Sequence, residues 1–496
     1  MISTICIIIM LTRRHGRPIR KSLLIAALGL ATPIESFHVA KPLLKGGRQL
    51  YHDQRRWMSR GVPSEKDTVI HFNHAGASPS PSSVIERVVD HMYLEQRLGA
   101  YAAAEVVQPE MDTVYELAAR LLHASSVEEI ALVESATVAW TRLFYAMAEH
   151  HERLRITNNI NNKQADDNKK VILISEAEYA AQVVAVTKWA REHNGWHVLA
   201  IPSALQENGE STGVIDLDSL EQMLTGRYVI SDDGSTTTLD PESIALVCVT
   251  HIPTNSGIAN PVENVGELLK KHKNEAFYLV DACQSVGQMD VNVQEIGCHG
   301  LCGTGRKYLR APRGSGVLWV DSSTASILRP SHVDHACAPL TAVPSDYPAN
   351  DWNVKVDYRF QDNAKRFEFW ESSAACKLGF GEAIRYALED AGGTAMIAQK
   401  IQQNALELQE QLQSISKVTL HYPGTTSGIV TFQTEGLSSG KLKEQLWAPD
   451  ANGNIFDVSV VPATSTPLDS ARSGVPDLVR ASVSYTTTAG EIKLFC

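Results

Sequence analysis

The segment from Phe277 to Val320 carries the residue types best suited to bind and transform a small molecule. An apolar run, FYLV, ends at Asp281; Gln284 follows three residues later, and a Gly-rich stretch then leads to Lys307. Ligands of open α/β sheets collect at the carboxyl ends of strands, so Asp281 is predicted to face a ligand. Taken singly, Asp281 could be a helix cap and Lys307 a solvated surface residue. Their order along one segment favours a shared site that offers a carboxylate, a carboxamide and an amine.

The elements that must position these residues follow from an alternation of apolar runs and amphipathic stretches. Buried strands that alternate with helices predict an α/β fold with a mostly parallel sheet covered on both faces. The predicted strands are Glu129–Val133, Val171–Ser175, Ile244–Thr250, Phe277–Val280 and Gly316–Val320, and the helices between them are Ala180–His193, Leu217–Leu224 and Val262–His272.

The pattern changes near residue 330, which predicts two domains. Residues 61–330 would form the large ligand-binding domain, with its first residues free to pack on the smaller one. Residues 331–496 would form a small α+β domain with long helices near 372–388 and 393–412. Ser83, with Glu86 three residues later, predicts a capping box at the start of an early helix.

Charge is distributed unevenly along the chain. Residues 1–60 hold eleven of the 45 basic residues and two of the 56 acidic ones, a pattern typical of a targeting segment. We therefore expect residues 1–60 to be a disordered targeting segment that directs the protein to a plastid or mitochondrion. If the segment does not act as a targeting signal, the protein is expected in the cytoplasm. Its apolar stretch, Ser22–Ile34, is too short to span a bilayer, so no stable membrane span is expected. The net charge of −11 argues against a nucleic-acid partner.

From about residue 70 to the C terminus, the ordered set of Asp281, Gln284 and Lys307 resembles the fold-type I pyridoxal phosphate enzymes of the class V aminotransferase and cysteine desulfurase group. The resemblance implies a pyridoxal 5'-phosphate cofactor and a large domain followed by a smaller C-terminal one. Lys307 would hold the cofactor aldehyde as a Schiff base, Asp281 would keep the pyridine nitrogen protonated, and Gln284 would hydrogen-bond the ring hydroxyl.

The same resemblance implies where the cofactor phosphate binds. The turn at Ser135, Ala136 and Thr137 follows a strand and opens a helix, whose N-terminal N–H groups suit an anion. Thr304 and Arg306 flank Lys307 and would add a hydroxyl and a charge. Arg313, in the Pro-x-Gly turn, matches the family position that reaches the phosphate of the other subunit. A homodimer with shared active sites is therefore expected.

Further positions implied by the resemblance concern the ring and the substrate. In the segment SEAEYAA, Glu178 or Tyr179 would lie over the ring, and an aromatic stack favours Tyr179. Thr254 or Asn255 would contact the ring as well. An amino-acid carboxylate favours a bidentate arginine, and two matching positions are available, first Arg366 and then Arg480.

One absence separates this chain from standard cysteine desulfurases. Those enzymes carry a nucleophilic cysteine on a mobile loop of the C-terminal domain, whereas this sequence has no Cys between Pro423 and Arg480. The pieces LEQRLGAYAA and HIPTNSG instead resemble the branch with isopenicillin N epimerase-like proteins and hercynylcysteine sulfoxide lyases. Cys248 and Cys283 are predicted as reduced core residues, and no metal site is expected.

These observations predict a pyridoxal-phosphate-dependent enzyme that acts on an amino acid, either aminotransferase-like or a C–S lyase. Lys307 would take the Cα proton, and Tyr179 could serve as an opposing acid. An amino-acid epimerase is the alternative reaction, and a non-catalytic scaffold that keeps the fold is the alternative class. A dinucleotide-dependent enzyme is disfavoured, because no Gly-rich first turn follows a strand.

Overall fold

A seven-stranded sheet forms the centre of the described part of the chain. The computed structural model describes residues 63–64, 66–162, 169–207, 211–232, 235–343, 356–422, 424 and 427–496, so the predicted targeting segment lies outside the described residues. The strands are β1 (Thr68–His71), β2 (Ile130–Val133), β3 (Lys170–Ser175), β4 (Trp196–Ile201), β5 (Ser203–Leu205), β6 (Ser211–Ile215), β7 (Val229–Asp232), β8 (Ser235–Thr238), β9 (Ile244–Thr250), β10 (Phe277–Asp281), β11 (Gly300–Thr304), β12 (Gly316–Val320), β13 (Leu340–Ala342), β14 (Asp357–Tyr358), β15 (Val418–His421), β16 (Ile429–Thr434), β17 (Asn454–Asp457), β18 (Ser459–Val461) and β19 (Leu478–Ser482).

Helices flank this sheet and connect its strands. They are α1 (Ser82–Leu98), α2 (Ala100–Val106), α3 (Gln108–Leu122), α4 (Ala136–Asn162), α5 (Ala180–Glu192), α6 (Leu217–Leu224), α7 (Val262–Lys271), α8 (Val293–Ile296), α9 (Ser322–Ile327), α10 (Ala374–Arg385), α11 (Thr394–Gln413), α12 (Ser439–Trp447), α13 (Pro467–Ser473) and α14 (Ala489–Phe495). No helix among the described residues combines the length and the apolar character needed to cross a bilayer.

The order of the central sheet is β2-β12-β11-β10-β9-β3-β4, and β12 runs antiparallel to both of its neighbours while the other strands are parallel. The predicted α/β fold with a mostly parallel sheet is therefore confirmed. Strands β9, β10 and β12 are buried along their whole length, as expected for strands that are covered on both faces.

Two apolar cores lie on opposite faces of this sheet. One contains side chains of α3, α6, α7 and α10, and the other contains the first half of α4 together with α5. Alternate residues of a strand point to opposite faces, so Val247 of β9 joins the first core and Leu246 joins the second. Burial on both sides fixes the strand register, and with it the position of every strand end.

The C-terminal part of the chain builds a second, four-stranded sheet of order β15-β16-β19-β18, in which all pairings are antiparallel. Strand β1 pairs in parallel with β17, and its neighbour Phe72 joins Leu408 of α11 and Phe432 of β16 in a third core. The first described strand thus packs with residues more than 300 positions later in the chain.

The early helix begins differently from the sequence prediction. Pro81 is the N-cap of α1 and no side chain caps it, so the capping box predicted at Ser83 and Glu86 is wrong. A capping box does occur at the start of α14, where Thr488 and Glu491 bond each other's backbone N–H groups. The exposed face of α1 carries Met92 and Tyr93.

Candidate active site

The carboxyl ends of β9, β10 and β11 meet at one edge of the central sheet. Asp281, the last residue of β10, pairs in register with Thr250 of β9 and with Cys302 of β11. A pocket of about 250 Å³ opens at this edge. Its opposite wall comes from the C-terminal sheet, which contributes Val460, Val461 and Arg480. The pocket therefore forms only where the two sheets face each other.

Most of the predicted site residues line this pocket. They are Ala136, Thr137, Tyr179, Thr254, Asp281, Gln284, Arg306, Lys307 and Arg480. These residues come from six separate stretches of the chain, so their convergence is a property of the tertiary structure and not of any one motif.

Lys307 follows β11 in a tight loop whose shape depends on a glycine. Gly287 has φ +89°, and a Cβ at this position would lie 2.4 Å from the backbone nitrogen of Leu309. This close approach fixes the loop two residues after Lys307. Burial lowers the pKa of the Lys307 amine, and the charges of Arg306 and Arg480 lower it further, while nearby Cys283 and Asp281 act in the opposite direction. A depressed pKa favours the neutral amine, which can attack a carbonyl carbon or accept a proton.

Cys283 lies at the boundary between the second apolar core and the pocket. It comes between Asp281 and Gln284, is half-buried against that core, and also lines the pocket beside Lys307, so the prediction of a core residue is confirmed only in part. Burial raises the pKa of its thiol, and the positive charge of Lys307 opposes that effect. Cys248, by contrast, is fully buried as predicted.

Asp281 is held by groups from several elements. Its Oδ1 accepts the backbone N–H of Cys283 at 2.8 Å and faces the Cys302 thiol at 3.7 Å, while its Oδ2 accepts the side-chain N–H of Gln182. Burial raises the pKa of the carboxyl, and the Cys283 N–H and the Lys307 charge oppose that rise. Sequence reasoning missed Gln182, because its partner lies 99 residues away.

Gln284 joins the pocket to the N-terminal segment of the described chain. Its Nε2 donates to the Ala75 carbonyl at 3.2 Å and to Thr254 Oγ1 at 3.3 Å. Its Oε1 is buried and has no hydrogen-bond partner among the described residues. A buried orphan oxygen that lines a pocket is a place where a ligand can form the missing bond.

The start of α4 offers an anion site. Ala136 and Thr137 line the pocket at the first turn of this 27-residue helix, where N–H groups lack partners within the helix. Gly316 supports the turn, because a Cβ there would lie 3.2 Å from the Cα of Ser135. The Ser135 hydroxyl instead accepts the Val138 N–H at 3.2 Å, which caps the helix.

The structure separates Glu178 from Tyr179. Tyr179 lines the pocket and is 43% exposed. Glu178 is fully buried behind it and accepts hydrogen bonds from the Ser175 hydroxyl at 2.7 Å, the Thr250 N–H at 2.5 Å and the Thr250 hydroxyl at 2.7 Å. Of the two residues considered from the sequence, Tyr179 is the one able to contact a ligand.

The two candidate arginines also separate. Arg480 of β19 lines the pocket, and Thr254 and the Ser459 hydroxyl hold part of its guanidinium. Burial lowers its pKa to about 10, so it stays charged at neutral pH. Arg366, ranked first from the sequence, does not reach the pocket, because the carbonyl oxygens of Gln361 and Leu328 bind its guanidinium at 2.8 and 2.6 Å.

Three further predicted residues lie away from the pocket lining. Thr304 is buried at the end of β11, where it pairs with Gly316. Asn255 donates to the Pro462 carbonyl at 3.4 Å. Arg313 is exposed to solvent, and its carbonyl oxygen lies 3.7 Å from the Cys376 thiol. Its exposed position is compatible with a contact to a second subunit, and that contact stays a prediction.

The residues present fit pyridoxal phosphate on the chemistry of their groups. A half-buried amine, a buried carboxylate and an unpaired amide oxygen face one cavity, and a helix N-terminus beside them suits a phosphate. An α/β fold with this pocket between two sheets defines the class of fold-type I pyridoxal phosphate enzymes.

Comparisons with known proteins place the chain within that class. The model of the family "Aminotransferase class-V" matches residues 70–495, and the chain belongs to this family. The predicted family, its pyridoxal phosphate cofactor and the assignment as an enzyme are confirmed. A cysteine desulfurase of Pectobacterium carotovorum subsp. carotovorum (strain PC1) is 25% identical over 432 residues, which cover 85% of this chain and 90% of the relative.

Solved structures show the same fold at lower identity. A cysteine desulfurase from Thermococcus onnurineus NA1 is 20% identical, with a TM-score of 0.66 and coverage of 88% of this chain and 97% of that one. The cystine C–S lyase C-DES, in complex with its reaction product cysteine persulfide, is 18% identical, with a TM-score of 0.64 and coverage of 86% and 95%.

Proposed function

We propose that this protein is a pyridoxal-phosphate-dependent C–S lyase that acts on cysteine or a cysteine-derived amino acid. The observation that carries the proposal is the convergence of Lys307, Asp281 and Arg480 on one pocket. Relatives named as cysteine desulfurases and a neighbour named as a cystine C–S lyase support sulfur-containing substrates. The bound cofactor would supply an electron sink for the substrate Cα.

The residues of the pocket have distinct roles in this proposal. Lys307 would anchor the cofactor and then accept the Cα proton, as its depressed pKa favours. Asp281 would face the ring nitrogen, and the first turn of α4 at Ala136 and Thr137 would hold the phosphate. Arg480 would bind the substrate carboxylate, because the hydrogen bonds to Thr254 and Ser459 leave its second terminal nitrogen for a ligand.

The Cβ–S bond of the substrate can break by elimination, without a protein nucleophile, and all atoms and electrons are then accounted for. Lys307 removes the Cα proton, the electron pair of the broken bond leaves with sulfur, and water then releases the remaining carbon skeleton as pyruvate and ammonia. Sulfur leaves as sulfide from cysteine or as a persulfide from cystine. The chain has no cysteine between Cys376 and Cys496 that could accept sulfur from the C-terminal side of the pocket. Cys283 does line the pocket, but burial raises the pKa of its thiol and so disfavours the nucleophilic thiolate. Both observations support elimination over desulfuration onto a protein thiol.

Tyr179 is the candidate acid in this scheme. Its ring lines the pocket and its exposure of 43% leaves the hydroxyl accessible. The phenol could protonate the departing sulfur of a lyase, and the same group could serve an epimerase as the acid opposite Lys307. Tyr179→Phe should slow either reaction, so the products decide between the two.

The deciding experiment combines spectroscopy with product analysis. The wild type is expected to show a visible imine band that borohydride bleaches, and to form pyruvate and a sulfur product in equal amounts from L-cysteine or L-cystine. Lys307→Ala should lose both signals, whereas the exposed Lys441→Ala should retain both. Absence of the band contradicts the enzyme assignment. Racemised substrate without pyruvate favours the epimerase, and one turnover of keto acid without sulfur release favours transamination.

We also propose that two chains form a dimer with shared active sites. Support comes from apolar side chains that stand exposed on α1 and α2, namely Ile85, Val89, Met92, Tyr93, Leu98, Tyr101 and Val106. Ile85, Val89, Met92 and Tyr93 recur at helical spacing on one face of α1, and an exposed apolar helix face is typical of an interface. Sedimentation should give twice the mass of one chain, and Met92→Glu with Tyr93→Glu should give monomers. A monomeric wild type at micromolar concentration contradicts the proposal.

The basic segment of residues 1–60 supports a proposed organellar location. Its excess of arginine and lysine over acidic residues is typical of transit peptides. Residues 1–60 fused to a fluorescent protein are expected to reach a plastid or mitochondrion. A diffuse cytoplasmic signal, equal to that of the reporter alone, contradicts this location.

A further inference from the structure

The buried side chain of Gln182 contacts Asp281 directly, although no sequence pattern singles it out. Gln182 is the third residue of α5, is 4% exposed and lines the pocket. Its Nε2 donates to Oδ2 of Asp281. A glutamine this deeply buried on a helix face needs hydrogen-bond partners. Among the described residues, the Asp281 carboxylate is the hydrogen-bond partner of its nitrogen.

The chemistry of the two groups fixes the orientation of the amide. An ionised carboxylate accepts hydrogen bonds and cannot donate them, so Gln182 must present its NH₂ group to Asp281. Its Oε1 then points elsewhere, is buried, and has no partner among the described residues. A rotation of the amide by half a turn would place two acceptor oxygens against each other, which costs free energy in a buried site.

Gln182 completes a set of donors that holds both carboxylate oxygens. Oδ1 accepts the backbone N–H of Cys283 at 2.8 Å, and the Cys302 thiol faces the same oxygen at 3.7 Å. Oδ2 has Gln182. Two donors on different oxygens fix the plane of the carboxylate, because rotation about the Cβ–Cγ bond would break both hydrogen bonds.

The surroundings of Asp281 explain why a neutral donor matters here. Burial raises the pKa of Asp281, and the opposing groups are the Cys283 N–H, the Lys307 charge, the Cys302 thiol and the Gln182 amide. Glu178 is the other carboxyl nearby; burial raises its pKa to about 7, and the charge of Asp281 adds to that rise. Because burial disfavours the ionised form of Asp281, each hydrogen-bond donor to Asp281 helps to keep it negatively charged.

We propose that Gln182 is a positioning residue of the cofactor site, which orients the Asp281 carboxylate and keeps it ionised toward the pyridine nitrogen of pyridoxal phosphate. This inference rests on the proposed function, because it assumes that Asp281 faces that nitrogen. Gln182 acts through Asp281 and touches no reacting atom in this role. An ionised Asp281 attracts the protonated ring, so cofactor affinity reports on it directly.

The test measures pyridoxal phosphate affinity as a function of pH, on protein stripped of cofactor with hydroxylamine. Gln182→Leu keeps the size of the side chain and removes its donor, and is expected to weaken the Kd about tenfold at pH 7. The acid limb of the affinity profile should move to higher pH by roughly one pH unit, because Asp281 then holds its proton more tightly. Gln182→Glu should weaken binding further, since two carboxyls would face each other.

Two controls separate positioning from general damage. Gln409→Leu removes a buried glutamine of α11 far from the pocket, and should leave both the Kd and the acid limb unchanged. The whole series is repeated with Glu178→Gln, so that titration of Glu178 cannot produce the shift. The thermal melting of each cofactor-free variant is recorded to show that it folds.

The outcomes are distinct for this inference and for the proposed function. A wild type that binds pyridoxal phosphate, with a Gln182→Leu variant of weaker affinity and a shifted acid limb, supports the inference. A wild type that binds, with a Gln182→Leu variant of the same affinity and the same acid limb, overturns the inference and leaves the proposed function intact. Weakening equal to that of Gln409→Leu also overturns it. A wild type that does not bind the cofactor overturns both.

Discussion

The Glu178→Gln variant should be more stable than the wild type above neutral pH, and this gain in stability should disappear in acid. Glu178 is fully buried, and burial raises its pKa from an ordinary value of 4.5 to about 7, with the charge of Asp281 adding to the rise. A glutamine fits the same three hydrogen bonds, because Oε1 can accept from Ser175 and the Thr250 N–H while Nε2 donates to the Thr250 hydroxyl.

The sign and the magnitude follow from linkage. A carboxyl whose pKa is raised by folding contributes its full stability below the pKa of the unfolded chain and loses it as the pH rises through the folded value. For Glu178 that window runs from 4.5 to about 7. Each pH unit in the window corresponds to about 1.4 kcal/mol, so the wild type should lose about 3 kcal/mol that the variant retains.

Urea unfolding followed by circular dichroism, at pH 5 and at pH 8, measures this difference. The difference in unfolding free energy between Glu178→Gln and wild type should be about 2.5 kcal/mol more favourable to the variant at pH 8 than at pH 5, because the wild type has already lost a small part of the stability at pH 5. Titrating groups that do not interact with Glu178 are common to both proteins, so their contributions cancel. Glu116→Gln, at an exposed position of α3, should show no such pH dependence. An equal difference at the two pH values, or a larger one at pH 5, refutes the reasoning.

Two other predictions concern the arginines and the lysine loop. Arg480→Gln should raise the KM for the amino-acid substrate about 10- to 100-fold, because it removes a charged hydrogen-bond donor, whereas Arg366→Gln should leave KM unchanged and lower the free energy of unfolding by roughly 2–4 kcal/mol. Steady-state kinetics and thermal melting measure both effects. A KM that rises in Arg366→Gln alone contradicts the assignment. Gly287→Ala should lower the free energy of unfolding by about 3 kcal/mol and reduce cofactor occupancy, because the added Cβ would collide with the backbone of Leu309. Unchanged cofactor occupancy in the absorption spectrum would show that the loop tolerates a displaced Leu309 backbone.

The residues that the sequence identified well are those whose roles depend on local spacing. Asp281, Gln284 and Lys307 lie in one segment, and the apolar run before Asp281 predicts a strand end, where ligands collect in this kind of fold. The turn at Ala136, which lines the pocket, follows from the same logic, since it joins a strand to a helix. The mostly parallel sheet was predictable too, because its buried strands are continuous apolar runs.

The errors fall where an assignment depends on partners distant in the chain. From the sequence, Arg366 ranks before Arg480, and only the fold shows that backbone carbonyls bind the first while the second faces the pocket. Cys283 lies in an apolar context, yet its place between Asp281 and Gln284 exposes its thiol to the cavity.

The sequence by itself therefore determined the fold class, the cofactor and most of the residues that line the pocket, because period, strand ends and short motifs are local properties of the chain. The tertiary structure decided which arginine lines the pocket, which of Glu178 and Tyr179 faces it, and that Gln182 donates a hydrogen bond to Asp281. The physical reason is that a side chain's direction and its hydrogen-bond partner depend on the packing of two sheets and the helices between them. That packing joins residues 99 or more positions apart, and no local pattern records it.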